Sequence, residues 1–238
     1  MRLLLIGQGK MGQAIAQVAQ QRGHHLAYKI DLTNRASLTT IDPVTVDVAI
    51  EFSQPAAAYD NICQCLSKNI PVLSGTTGWL AKLAAVKAHC QAQQGTFFYA
   101  SNFSIGMQLF LQANAFLAKL MHQHPAYNVA LEEVHHTEKK DIPSGTAITL
   151  AEKIIQNMPC KKHWALAPTQ QKDRLPITAK RVPDVPGTHT VTYTSSADTL
   201  ELTHTAHSRA GFALGAVLVA EWLQGQQGVL GMEDFLAQ

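Results

Sequence analysis

Apolar and polar positions in the first hundred residues form short apolar runs separated by longer stretches with helical spacing. The opening run, Arg2–Ile6, has the length and continuous apolar character of a strand buried on both faces. Further strands are predicted at 25–30, 46–52, 70–73 and 96–100, and helices from after Gly12 to Arg22, at 55–68 and at 79–93. Strands that alternate with helices predict a parallel sheet and therefore an α/β fold.

The pattern changes in the second half of the chain. A long amphipathic helix is predicted at 106–123, with an apolar face formed by Met107, Phe110, Leu111, Leu117 and Leu120. A strand at 127–134, a polar run at 135–146 and a helix at 147–156 follow. Strands are then expected at 174–181, 188–195 and 199–206, and helices at 212–223 and in the tail. The last two of these strands read as a hairpin with one buried face.

A glycine-rich motif follows the first strand and precedes the first helix. Its six residues are Gly7, Gln8, Gly9, Lys10, Met11 and Gly12. Gly7 permits a tight turn, Gly9 lets the backbone approach a pyrophosphate, and Gly12 allows the helix to pack closely on the strand. Free N–H groups at the helix start would favour the phosphates. The motif predicts a dinucleotide site; the alternative is a glycine-rich turn without a ligand.

Asp31 follows the second strand, 19 residues after Gly12. A carboxylate at this position can accept hydrogen bonds from the adenosine ribose hydroxyls, and it would repel a 2′-phosphate. That favours NADH over NADPH. Lys29 and Arg35 are close in sequence and could compensate for the charge, so the residues leave the choice between NADH and NADPH open.

Polar residues follow three more of the predicted strands. In parallel sheets, ligands bind outside the carboxyl ends of the strands, so these residues are expected to line a cleft for the nicotinamide. Each segment alone could be an ordinary polar turn. The residues at these ends are Ser53, Gly75, Thr76, Thr77, Gly78, Ala100, Ser101, Asn102 and Phe103.

The polar run at 135–146 carries the strongest candidate chemistry. Ser144 can cap the next helix, and the N–H groups of Gly145 and Thr146 in its first turn can hold a carboxylate. Lys139 and the His135–His136 pair could supply charge and protons. The alternatives are a plain helix cap, solvated lysines and a zinc site. A metal is disfavoured because adjacent histidines in an extended segment point apart and no well-spaced third ligand is evident.

Composition excludes several classes of protein. The formal net charge is only +2 without a long basic run, so a nucleic-acid partner has little electrostatic support. The apolar N-terminal run is too short for a membrane span or a signal peptide. Four cysteines without zinc or redox spacing indicate unpaired thiols in a cytoplasmic protein.

Several motifs together resemble the dihydrodipicolinate reductase family. Residues 134–147 read Val-His-His-Thr-Glu-Lys-Lys-Asp-Ile-Pro-Ser-Gly-Thr-Ala, which is similar to the HHxxKxDxPSGTA motif of that family. Segments 7–12, 75–79, 101–104, 185–189 and 207–213 also match in type and order. The first glycine loop has one residue fewer than the GxxGxxG form of longer members.

This resemblance implies NADH- or NADPH-dependent reduction of 4-hydroxy-tetrahydrodipicolinate, a dicarboxylate, in lysine and diaminopimelate synthesis. It implies that His135 and Lys139 are catalytic and that His136, Ser144, Gly145 and Thr146 bind the substrate. The cofactor contacts would be the glycine loop, Asp31, 75–77 and 100–103. The rival readings are a different Rossmann-type oxidoreductase for another small carboxylate and a non-catalytic NAD(H) sensor.

The resemblance also implies a domain organisation. A Rossmann-type dinucleotide-binding domain would comprise residues 1–104 and 210–238. An α+β domain with an open mixed sheet, residues 105–209, would bind the substrate and form a homotetramer. No metal is expected.

Overall fold

The computed structural model describes residues 1–237, and in it the chain forms two compact units. The first contains residues 1–105 together with the chain from Arg209 onward, and the second contains Gly106–Ser208. The chain therefore leaves the first unit once and returns to it with its last helices.

Eleven strands and seven α-helices are found in the described residues. The strands are β1 (Arg2–Ile6), β2 (His25–Ile30), β3 (Val48–Glu51), β4 (Val72–Ser74), β5 (Thr96–Tyr99), β6 (Asn128–His135), β7 (His163–Leu166), β8 (Arg174–Arg181), β9 (Gly187–Thr194), β10 (Thr199–Ala206) and β11 (Gly228–Leu230). The helices are α1 (Lys10–Gln21), α2 (Pro55–Ser67), α3 (Leu83–Ala92), α4 (Ile105–Met121), α5 (Gly145–Asn157), α6 (Ala210–Leu223) and α7 (Met232–Leu236).

The first unit is a doubly wound parallel sheet with strand order β11-β5-β4-β3-β1-β2. Leu3 and Leu5 face one core with residues of α1, α6 and α7. Leu4 and Ile6 face the other core, with residues of α2 and α3. Because helices cover both faces, β1 is apolar at every inner position, which confirms the strand predicted from its sequence.

The second unit is built on a five-stranded mixed sheet with order β10-β9-β6-β8-β7. β6 pairs in parallel with β8 and antiparallel with β9. Residues of α4 and α5 pack on one face, where Leu131, Ile177 and Val191 form the middle of the core. The α/β fold class with a second, mixed sheet is as predicted.

Four details differ from the sequence expectations. The short edge strands β7 and β11 were not predicted, because three or four residues carry too little periodic signal. The helix expected from residue 79 begins with a 3₁₀ turn at Leu80–Lys82. α5 begins two residues before the 147–156 stretch, at Gly145, where the predicted Ser144 cap puts its first turn. Leu120, assigned to the apolar face of α4, is 46% exposed.

Two further expectations concern membranes and cysteines. Across residues 1–237, no helix is long and apolar enough to cross a membrane. All four cysteines are free, as predicted. Cys65 is fully buried, and burial raises the pKa of its thiol to about 12.

Candidate functional site

The glycine loop between β1 and α1 is so tight that two of its glycines have no room for a side chain. Gly7 has φ +106°, and a Cβ there would lie 2.0 Å from the carbonyl oxygen of Phe52. A Cβ on Gly12 would lie 1.9 Å from the carbonyl oxygen of Gly7, so glycine at this position lets α1 lie close to the residue that directly follows β1. A Cβ on Gly9 would meet open space, which leaves its backbone accessible to a ligand.

The start of α1 is suited to an anion. Its N-cap is Gly9, which has no side chain to cap the helix, and its first turn contains no acidic residue. The first N–H groups of a helix have no partner within the helix and carry the positive end of its dipole. A twelve-residue helix with this geometry can bind a phosphate.

A cavity of about 350 Å³ opens beside this helix start. Gly7, Gln8 and Gly9 line one side, and Asp31 and Ser53 contribute to the others. β1 lies between β2 and β3, so the cavity is at the point where the strand order reverses. Ligands of doubly wound sheets bind at this position, and the volume and glycine-lined wall fit a dinucleotide.

The Asp31 carboxylate is held in place at the cavity wall. It accepts hydrogen bonds from the amide (2.8 Å) and hydroxyl (2.6 Å) of Thr33, and these contacts lower the pKa of Asp31. The two basic residues considered as compensating charges differ in position. Arg35 lines the cavity and pairs with Asp60 at 3.0 Å, whereas Lys29 lines a separate surface hollow.

A second polar cluster connects the ends of β3 and β4, and sequence reasoning did not find its central residue. Glu51 is fully buried, and its carboxylate accepts hydrogen bonds from Ser53, from Ser74 (2.7 Å) and from the hydroxyl of Thr76 (3.1 Å). The amide of Ser53 also donates to Thr76 Oγ1 at 2.9 Å. Glu51 thus brings the predicted 75–77 segment against the loop that lines the cavity.

The predicted 100–103 segment follows β5, and part of it belongs to the core. Phe103 is only 2% exposed, and its ring packs against Phe52 and Phe98 with centroid distances of 5.4 and 5.7 Å. Asn102 Oδ1 accepts a hydrogen bond from the amide of Ser104 at 2.9 Å. Neither this segment nor 75–77 lines the cavity of the glycine loop, so their contacts with a cofactor stay predictions.

In the second unit, the polar run leads from β6 to the start of α5. Ser144 is the N-cap, and its hydroxyl accepts a hydrogen bond from the amide of Ala147 at 3.2 Å, which confirms the predicted cap. Gly145 is exposed and Thr146 is partly exposed. A carboxylate from solution can therefore reach this helix start.

A fully buried glutamate, not predicted from the sequence, lies beneath this helix start. Glu133 precedes His135 on the inner face of β6 and is 0% exposed. The amide of Ser144 donates to both carboxylate oxygens of Glu133, at 3.0 and 3.2 Å. His135 Nδ1 lies 3.3 Å from Oε2, and His189 Nε2 lies 3.9 Å from the same oxygen. One carboxylate thus connects the proposed proton-transfer histidine with the proposed anion site.

Arg181 joins the same network from β8. Its Nη2 lies 3.2 Å from Glu133 Oε1 and donates to the carbonyl of Asp141 at 2.6 Å. Its Nε donates to the carbonyl of Lys139 at 3.2 Å. The Lys139 ammonium is 2.9 Å from the carboxylate of Asp141. Lys139 and Asp141 therefore both lie in a loop whose backbone carbonyls accept hydrogen bonds from Arg181.

The buried groups have strongly perturbed acidity. Burial alone would raise the pKa of Glu133, but the His135 ring and the Ser144 hydrogen bonds lower it to about 2. Burial, reinforced by the neighbouring His135, lowers the pKa of His189 to about 3. At neutral pH the site thus contains an ionised Glu133 beside a neutral His189.

Glu133, His135 and His189 also have the donor types and spacing of a metal site, with their candidate ligand atoms within 4.8 Å of one another. His189 supplies the third ligand that sequence reasoning did not identify. The carboxylate already accepts hydrogen bonds from Arg181 and Ser144. A cation would have to compete with the guanidinium for it, so the contacts support a hydrogen-bonded network here.

A doubly wound parallel sheet with a glycine loop at its switch point defines a Rossmann-type, dinucleotide-dependent protein. A model of the dihydrodipicolinate reductase N-terminus matches residues 1–103, and one of the dihydrodipicolinate reductase C-terminus matches residues 106–236. The chain belongs to the dihydrodipicolinate reductase family, and a nicotinamide cofactor follows from that membership.

Named relatives agree with this assignment. A 4-hydroxy-tetrahydrodipicolinate reductase of Christiangramia forsetii is 46% identical over 237 residues, covering 100% of this chain and 98% of the relative. One of Lawsonia intracellularis is 30% identical, with 94% of each chain covered. A dipicolinate-bound dihydrodipicolinate reductase from Paenisporosarcina sp. TG-14 shares the fold, with TM-score 0.77, 20% identity and 97% coverage of both chains.

The buried network predicts acid-dependent stability. The pKa of His189 and that of Glu133 are both lower in the folded protein than in the unfolded chain, so the unfolded chain binds more protons as the pH falls. The free energy of unfolding is therefore not reduced by these two groups above about pH 6.5, and it decreases as the pH falls to 3 and below. His189→Gln should make the decrease in the free energy of unfolding between pH 7 and pH 4 smaller by on the order of 3 kcal/mol, measured by urea unfolding at each pH.

The exposed His25 provides the control for this measurement. His25→Gln should retain the wild-type dependence of unfolding free energy on pH. A His189→Gln variant whose stability falls as steeply as that of the wild type would contradict the assignment of a buried neutral His189.

Proposed function

We propose that this protein reduces 4-hydroxy-tetrahydrodipicolinate to tetrahydrodipicolinate, with loss of water and with NADH or NADPH as reductant, in lysine and diaminopimelate biosynthesis. The observation that supports it most directly is the capped start of α5, where an exposed Gly145 follows a buried Ser144 and lies in the same segment as Lys139 and His135. The relatives named above carry this activity in their names.

The residues of the second unit suit an anionic substrate that must be protonated. His136 and the residues at the start of α5, Ser144, Gly145 and Thr146, bind the two carboxylates. Lys139 neutralises negative charge and donates a proton, and His135 acts as proton donor and acceptor. The nicotinamide supplies the hydride when it is bound to the first unit.

Residues of the first unit bind different parts of the cofactor. The glycine loop, residues 7–12, and the start of α1 bind the pyrophosphate, and Asp31 binds the adenosine ribose. The 75–77 and 100–103 segments contact the nicotinamide end.

A variant of Lys139 tests the function. Lys139→Ala should lower kcat by about 100- to 10,000-fold, the usual contribution of a positioned acid, while NADH binding is retained. The substrate is formed in situ by a separate synthase from pyruvate and aspartate semialdehyde, and oxidation of the reduced cofactor is followed by absorbance.

Lys140 offers a matched control, because it is adjacent and exposed. Lys140→Ala should have wild-type activity. Cofactor binding by the wild type without synthase-dependent oxidation would favour a different substrate or an NAD(H) sensor. Undiminished turnover by Lys139→Ala would remove the role assigned to that lysine.

We further propose that NADH is the preferred cofactor. Asp31 is ionised at neutral pH, since its contacts with Thr33 lower its pKa. Of the basic residues considered, Arg35 is paired with Asp60 and Lys29 lies outside the cavity. The 2′-phosphate of NADPH would therefore lie near the negative charge of Asp31, and the charge of Arg35 beside it is partly neutralised by Asp60.

Replacement of Asp31 should change this preference. Asp31→Ser removes the negative charge and should raise the ratio of kcat/KM for NADPH to that for NADH at least about tenfold, which corresponds to ~1.4 kcal/mol. Arg35→Gln, measured in parallel, should lower kcat/KM for NADPH and leave kcat/KM for NADH unchanged. An unchanged ratio in Asp31→Ser would exclude Asp31 as the determinant.

A homotetramer is also proposed, and the mixed sheet supports self-association. β10 is an edge strand of eight residues without proline, and its first three residues are exposed. Leu200 on this strand is 41% exposed. A long unpaired edge offers its backbone groups to another strand, so soluble proteins usually cover or interrupt it. A second copy of the chain is the partner that we propose.

Light scattering tests this assembly. The wild type should have four times the chain mass of 25.9 kDa. Leu200→Lys places a charge at the edge and should give smaller species. Leu80→Lys, at a similarly exposed leucine of the first unit, should leave the mass unchanged. A monomeric wild type at working concentration would refute the tetramer.

A further inference from the structure

Glu133 is the most deeply buried acid near the proposed active-site residues, and no role has yet been assigned to it. Its position on β6 alternates inward with Val129, Leu131 and His135, three buried residues. An ionised side chain at a core position is destabilising unless hydrogen bonds or opposite charges compensate. The contacts of Glu133 with Arg181 and with the amide of Ser144 provide this compensation.

The register of the strands determines which residues lie next to Glu133. β6 and β9 are antiparallel with Glu133 opposite His189, and β6 and β8 are parallel with His135 beside Arg181. The rigid sheet thus fixes the carboxylate, the guanidinium and both imidazoles relative to one another. The other residues of the proposed site lie in the loop after β6 and at the start of α5.

The loop after β6 is attached to the sheet through its backbone at three residues. Glu133 accepts the amide hydrogen of Ser144, the N-cap of α5. Arg181 donates to the carbonyls of Lys139 and Asp141. The two side chains contact each other at 3.2 Å, so the proposed proton donor and the anion-binding helix start are held by one ion pair.

Glu133 also faces the proposed proton-transfer residue. Its Oε2 lies 3.3 Å from His135 Nδ1, so the carboxylate lies beside one ring nitrogen and Nε2 is the nitrogen left to exchange a proton with a ligand. A Cβ on Gly187 would lie only 3.1 Å from Nε2, so glycine keeps the space beside this nitrogen clear.

We propose that Glu133 and Arg181 form a positioning pair that sets the orientation of His135 and the placement of the α5 start and of Lys139. The proposal rests on the reductase function stated above. Neither side chain needs to touch the substrate. They act through the groups that do, as a carboxylate behind a histidine does in other enzymes.

The test compares two neighbouring ion pairs of the same two strands. Glu133→Gln keeps the shape but removes the charge, and it should lower kcat about 10- to 100-fold, the usual effect of replacing a residue that orients a catalytic group. The dissociation constant for NADH, measured by fluorescence, should stay within about twofold, since the glycine loop is in the other unit. Inhibition by pyridine-2,6-dicarboxylate should weaken, because the helix start is displaced.

Glu132→Gln is the matched control. Glu132 is adjacent on β6, points to the opposite face and pairs with Lys180 at 2.7 Å. This variant should keep wild-type kcat and inhibition. Activity of wild type and Glu132→Gln establishes the reductase function independently, so an inactive wild type would count against that function and not specifically against the positioning pair.

Two more variants separate positioning from stability. Glu133→Asp keeps the charge on a shorter side chain and should recover part of the kcat lost in Glu133→Gln, even if its melting temperature is no higher. Arg181→Lys keeps the charge but loses the branched contacts to two carbonyls, and it should lower kcat at least about tenfold. If Glu133→Gln does not fold, the kcat of Arg181→Lys tests the proposal instead. Wild-type kcat and inhibition in a folded Glu133→Gln, or in Arg181→Lys, would overturn the proposal.

Discussion

A fully buried carboxylate at the carboxyl end of a strand organises the polar edge of each unit. Glu51 ends β3 and accepts hydrogen bonds from the loops after β3 and β4. Glu133 is near the end of β6 and accepts the amide of Ser144 at the start of α5. Loops at strand ends have few apolar contacts of their own, so a buried acceptor that several loops share limits how they can move.

Such an arrangement is costly unless every contact is present. An isolated buried carboxylate would be strongly destabilising, and removing a single partner leaves an uncompensated charge. Around Glu133 the partners are two amide contacts, the guanidinium of Arg181 and the edge of the His135 ring. The contacts with His135 and Ser144 oppose the effect of burial and hold the pKa of Glu133 below its usual value. The same contacts that stabilise the ionised form therefore also determine the geometry of the loop.

Local patterns in the sequence were sufficient for the elements and for several site residues. β1, the glycine loop and the Ser144 cap depend on neighbours within a few residues, and each was predicted correctly. Glu133, Arg181 and His189 were not assigned roles, because their proximity arises from the register of three strands distant in sequence. The alternation on β6 contained a signal, since a glutamate occupies an inward position in a run of apolar residues. His189 was noticed only as part of a family motif.

A doubly wound sheet with a glycine loop does not by itself select a substrate, because one fold can carry many different activities. In this chain the chemistry proposed for the substrate lies between His135 and Thr146. The middle of that segment, residues 136–144, is an irregular loop between β6 and α5. Glu133 and Arg181 hold its backbone to two neighbouring strands, and sites attached to regular elements have better defined geometry than free loops.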